Sequence, residues 1–125
     1  MKKEPELQNT LDRMIHEITE KKGKDIVAID LSGLPNAFCT YFIVCTGDSS
    51  TQVDALSDGI ERGLREACRL HPWSVQGREN RQWILMDYGD IIVHIFQPET
   101  RRYYRLEELW ADGVTQRYDD AGNPM

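Results

Sequence analysis

Between Pro5 and Gly23 the apolar residues Leu7, Leu11, Met14, Ile15 and Ile18 recur three and four positions apart, which places them on one side of a helix over 6–22. DIVAIDL (25–31) and TYFIVCTG (40–47) are short and rich in β-branched and aromatic residues, and SGLPNAFC between them has turn chemistry. They read as two strands, the second buried on both sides. GDSST (47–51) then offers several N-cap residues before Val53, Leu56, Ile60, Leu64 and Ala67 return to helical spacing, a helix ending near His71 and Pro72. WSVQG (73–77) is a short strand candidate, and RENRQ is a polar connection.

The stretch WILMDYGDIIVHIF (83–96) reads as a β-hairpin, because Tyr88 and Gly89 between Asp87 and Asp90 form a turn signal. A two-residue turn pairs Asp87 with Asp90, Leu85 with Ile92 and Trp83 with His94. Side chains alternate along a strand, so Ile84, Met86, Ile91, Val93 and Ile95 share an aliphatic face suited to the core. The opposite face carries Trp83, Leu85, Asp87, Asp90, Ile92, His94 and, by extension, Phe96. Two carboxylates opposed at a turn repel and are costly to bury, which leaves their side at least partly open. An indole, aliphatic side chains and an imidazole rimmed by charge have the make-up of a protein-binding surface; cover by a helix or by the C-terminal segment is the competing reading.

PETRRYYRLEELW (98–110) suggests short helical turns returning to the domain through Leu106, Leu109 and Trp110, with Tyr103 and Tyr104 placed to extend the hairpin patch. From Val114 onward VTQRYDDAGNPM has no sustained apolar period. The expected organisation is therefore one domain over residues 1–113 and a mobile tail over 114–125. Strands, a helix and further strands imply a mixed sheet of about five strands flanked by helices, an α/β or α+β fold.

Composition narrows the function classes. At 125 residues, 40% hydrophobic and 29% charged, the chain has the make-up of a soluble globular domain, with no apolar run that approaches a membrane span and no signal-peptide core after MKK. The expected location is the cytoplasm. The net charge of −6 argues against direct nucleic-acid readout and favours basic partners, among them many ribosomal proteins. Cys39, Cys45 and Cys68 are odd in number, lack CxxC spacing and read as small buried hydrophobes.

Weighed as chemistry, the chain offers little. GDSST before a helix invites a phosphate, but no GxxxxGK[ST] or GxGxxG is present and Asp48 puts negative charge where the anion would sit, so capping is preferred. Asp87 and Asp90 are a lone acidic pair on a turn, a poor basis for a metal site. His16, His71 and His94 are far apart, and Arg101 and Arg102 beside Glu107 and Glu108 look like a solvated helical surface. No catalytic constellation, metal or cofactor is expected.

The ordered motifs YFIVCTGDSSTQVDAL, WILMDYGDIIVHIF and PETRRYYRLEELW resemble the ribosomal silencing factor family, RsfS, also called Iojap, from about Leu7 to Gly113. The resemblance implies a nucleotidyltransferase-like fold without its active site. Here Gly47 is followed by Asp48 where the ancestral motif has Gly-Ser, and no strand carries Asp-x-Asp. It further implies binding to large-subunit ribosomal protein fourteen on the large ribosomal subunit, a steric block to subunit joining, repression of translation under nutrient limitation, and homodimers of the free protein. Carried over to this chain, Trp83 and Leu85 become apolar anchors and Asp87, Asp90 and His94 polar contacts. A large-subunit assembly factor at the same site and a residual nucleotide-binding enzyme are the alternatives.

Overall fold

The computed structural model describes residues 4–125; Met1, Lys2 and Lys3, which open the expected domain, lie outside the described residues. The elements run α1 (Glu4–Glu20), β1 (Lys24–Asp30), β2 (Tyr41–Thr46), α2 (Ser50–Cys68), β3 (Ser74–Gln76), β4 (Trp83–Asp87), β5 (Ile91–Phe96), α3 (Pro98–Tyr104), α4 (Leu106–Leu109) and β6 (Val114–Tyr118). One six-stranded sheet has the order β3-β4-β5-β2-β1-β6. Only β2 and β5 pair in parallel; every other neighbour is antiparallel.

The apolar periods explain which layer each element joins. Leu7, Leu11, Met14, Ile15 and Ile18 of α1 and Val53, Leu56, Ile60 and Leu64 of α2 are buried against Ile26, Ala28, Ile43, Cys45, Ile84, Met86, Ile91, Val93 and Ile95 of the sheet. Each such aliphatic side chain contributes about 1.5–3 kcal/mol on leaving water, so this face closes firmly. The two helices approach closely where Gly63 of α2 leaves no room for a Cβ against the Glu17 side chain of α1. The α2 N-terminus is capped by Ser49, whose hydroxyl accepts from the Gln52 N–H, while Gln52 Oε1 accepts from the Asp48 N–H at 2.7 Å. The loop thus does the capping expected of it.

Two expectations need correction. The segment from Val114, read as a mobile tail, supplies the sixth strand, antiparallel to β1 from Ile26↔Tyr118 to Asp30↔Val114. It is an edge strand with mostly exposed side chains, so its pairing rests on backbone hydrogen bonds that leave no apolar alternation to read. The hairpin turn is centred one residue later than expected, on Gly89 and Asp90, where the Tyr88 N–H donates to the Ile91 carbonyl at 3.0 Å and Gly89 has φ +88°. Trp83 therefore pairs with Phe96, Leu85 with His94 and Asp87 with Ile92. A shift of two positions preserves the faces while changing every opposed pair.

Candidate docking face

The sheet face away from α1 and α2 has no long helix over it. Val27 and Ile29 of β1 with Leu31 just after it, Phe42 and Val44 of β2, and Ile92 and Phe96 of β5 are covered by Leu106 of α4 and by partly buried Leu34, Ala37, Cys39 and Trp110. Among the described residues the 32–39 loop and the short α3–α4 segment form the lid, and they leave a rim of side chains in solvent.

Across this face the aromatic rings form an unbroken chain. Phe38 meets Phe42 and Trp110 at centroid distances of 6.0 and 6.1 Å, and Phe42 meets Trp110 at 5.4 Å and His94 at 4.7 Å. Trp83 lies 5.8 Å from His94, stacks on Phe96 at 4.8 Å and touches Tyr104 at 4.8 Å; Tyr104 in turn meets Tyr103 at 5.0 Å. The ends of the chain are open, with Phe38 69% and Tyr103 80% exposed, and Leu109 is 75% exposed. Edge-to-face contacts of this kind hold the rings rigid, which favours recognition at low entropic cost.

The residues expected at the site divide by depth. Trp83, Leu85, Asp87 and Asp90 are half-buried and reachable, and Tyr103 and Tyr104 are exposed. Ile92, Phe96 and His94 are buried, His94 to 3% exposure, so these three lie beneath the surface that the half-buried residues form. His94 Nδ1 accepts a hydrogen bond from the Trp83 indole N–H at 3.1 Å. Burial alone pushes the imidazole pKa down from 6.5 to about 4, so the ring is neutral at physiological pH. Phe38, Trp110 and Leu109 are part of the face and were not among the expected site residues. A phenylalanine inside the turn-forming SGLPNAFC was the available signal for the first of them.

The acidic rim sits at the hairpin end. Asp87 Oδ1 accepts from the Gly89 N–H at 2.8 Å, and the two carboxylates help burial push the Cys39 thiol up to about 12. Trp73 lies over the same turn: a Cβ on Gly89 would come within 2.9 Å of its ring. Although it packs on the turn, Trp73 remains 79% exposed.

On the far side of α3 an open cleft of about 760 Å³ is lined by Thr46, Asp48, Arg101, Arg102, Arg105 and Arg117 together with Asp25, Glu107 and Glu108. The GDSST loop therefore has arginines near it. They make a poor phosphate cradle, because acidic groups interleave with them and Arg101 Nε and Nη1 already have partners within the chain. Its Nη1 donates to the Asp25 carbonyl at 2.6 Å and to Thr46 Oγ1 at 2.8 Å, and its Nε pairs with Glu107 at 3.1 Å. Arg101 is thus a clasp fixing α3 and α4 to the ends of β1 and β2, which corrects its reading as solvated surface. Among the described residues no group of three or more His, Cys, Asp or Glu is placed to hold a metal ion. Cys45 is buried as expected, while Cys39 and Cys68 are half-buried.

The family described as "Ribosomal silencing factor during starvation" matches residues 4–124, which brings β6 into the shared pattern. The ribosomal silencing factor RsfS of Chromobacterium violaceum is 39% identical over 105 residues, 84% of each chain. A crystal structure of a Chromobacterium violaceum protein superposes with a TM-score of 0.79 at 36% identity, over 83% of this chain and 85% of that one. The mouse protein named "Mitochondrial assembly of ribosomal large subunit protein 1" is 26% identical over 112 residues, covering 88% of this chain and 47% of its own length.

Proposed function

The chain belongs to the ribosomal silencing factor family, and from that membership we propose that it docks through the aromatic face on large-subunit ribosomal protein fourteen of the large ribosomal subunit. Bound there, it sterically excludes the small subunit and so represses translation under nutrient limitation. The action is occupancy of a surface, with no bond made or broken and no cofactor, and inhibition follows the bound fraction.

The observation carrying this reading is the asymmetry of the sheet: one face sealed by α1 and α2, the other presenting the ring chain from Phe38 to Tyr103 under a thin lid. Trp83, Leu85 and Tyr104 serve as apolar anchors, and Asp87 and Asp90 as a rim that attracts a basic ribosomal protein. In the free protein the same face is the natural seat of a homodimer, and the working location is the cytoplasm. Co-sedimentation with purified large subunits tests the surface. Trp83→Ala is expected to leave the pellet, and its normal recovery there would show that the face is wrong.

A second reading, assembly of the large subunit at the same site, is favoured by the name of the mouse relative. Large-subunit profiles of a deletion strain during growth and during starvation separate the two. Accumulating precursors during growth would support assembly, and a defect confined to starvation would support silencing.

A further inference from the structure

We propose that His94 is the positioning residue of the docking face: its Nδ1 holds the Trp83 indole in the one ring orientation that meets the large subunit, without touching the partner itself. This rests on the docking role of Trp83.

Three elements restrain that indole. Phe96 of β5 stacks on it with planes 26° apart, Tyr104 of α3 tilts against it at 47°, and His94 takes its N–H at 3.1 Å. Stacking fixes the plane of the ring but tolerates sliding within that plane, because aromatic contacts accept a broad range of offsets. The hydrogen bond is the directional contact that sets where the nitrogen-bearing edge lies. His94 can hold this bond in a fixed place because it is itself immobile, edge-on to Phe42 at 4.7 Å and 80° and only 3% exposed.

The other ring nitrogen points to the same conclusion. With Nδ1 accepting, a neutral imidazole carries its proton on Nε2, and that atom is buried with no hydrogen-bond partner among the described residues. An orphaned donor weakens a fold, so a phenylalanine of similar size would pack here at lower cost. What a phenylalanine lacks is the acceptor for Trp83. The bond also turns the indole N–H inward, so Trp83 meets its partner with ring carbon alone, and the matching site on the subunit must be apolar at that point.

The test uses the full chain and isolated large subunits. In the ¹⁵N-labelled protein a scalar coupling across the hydrogen bond should connect Trp83 Nε1 with His94 Nδ1. His94→Phe removes the acceptor while keeping the volume and is expected to weaken subunit binding about three- to tenfold, the share of one hydrogen bond. Its melting temperature should hold or rise. His94→Asn, whose carbonyl oxygen falls near the Nδ1 position, is expected to restore binding to within about twofold of the parent if the bond sets the ring. Absence of the coupling, parental binding by His94→Phe, or equal loss in both variants would overturn the proposal. Trp83→Ala keeps the two claims apart. If it binds normally the docking role itself fails; if it loses binding while His94→Phe does not, only the positioning role fails.

Discussion

The Trp83 indole nitrogen lies 3.1 Å from His94 Nδ1, a bond that joins the half-buried surface of the aromatic face to the buried layer beneath it. The bond requires a neutral imidazole, and burial supplies one by lowering the pKa from 6.5 to about 4. Between those values the unfolded chain takes up a proton that the folded chain refuses. The stability from this group is therefore complete above about pH 6.5, falls as pH falls, and is fully lost below about pH 4. The difference amounts to roughly 3 kcal/mol. Urea unfolding at pH 7 and pH 4.5 checks it: the parent should lose about 2–3 kcal/mol more than His94→Phe, in which nothing titrates at that position.

Arg101 reaches the Asp25 carbonyl, Thr46 Oγ1 and Glu107 from a side chain only 12% exposed. A lysine offers no planar fork to satisfy three acceptors at once. Arg101→Lys is expected to lower stability by roughly 1–3 kcal/mol, with Arg101→Ala at the upper end. Because α3 carries Tyr104, either variant should also weaken subunit binding at temperatures where the fold is intact. Chemical denaturation followed by co-sedimentation would check both effects.

Gly89 combines a φ of +88° with an indole from Trp73 where its Cβ would be. Gly89→Ala should cost about 1–2 kcal/mol from backbone strain and the displaced ring. Trp73 fluorescence, read with Trp83 and Trp110 replaced by Phe, should change along with the loss measured by thermal unfolding.

The acidic rim makes a kinetic prediction. Asp87→Asn keeps the side-chain oxygen that accepts from the Gly89 N–H at 2.8 Å and removes only the charge. Combined with Asp90→Asn it should slow association with the large subunit severalfold at low salt and flatten the salt dependence, while dissociation changes less. Stopped-flow association at two ionic strengths would check this.

How much of this was legible in the chain depends on the range of the interaction. The two faces of the hairpin were readable because a period of two survives a slip of two residues: Ile84, Met86, Val93 and Ile95 lie on the helix side as expected. The register was not, since a turn centred on Tyr88–Gly89 and one centred on Gly89–Asp90 share the same Asp-Tyr-Gly-Asp signal. The burial of His94 was equally out of reach. It is set by the ring of Phe42 on the neighbouring strand together with those of Trp83 and Phe96, and the contact with Phe42 is one that no local pattern encodes. Arg101 was misread for the same reason, because its partners Asp25 and Thr46 lie 76 and 55 positions away. β6 escaped because an edge strand can be held by backbone bonds alone.

The central claim, that the aromatic face is the docking surface, is tested most directly by titrating isolated large-subunit ribosomal protein fourteen with alanine variants on both sides of the sheet. Trp83→Ala should weaken the complex by about 2 kcal/mol or more, roughly thirtyfold, as expected of an anchoring aromatic. Arg65→Ala on the exposed side of α2 should bind like the parent. Parental affinity for Trp83→Ala, or loss of binding for Arg65→Ala alone, would contradict the account.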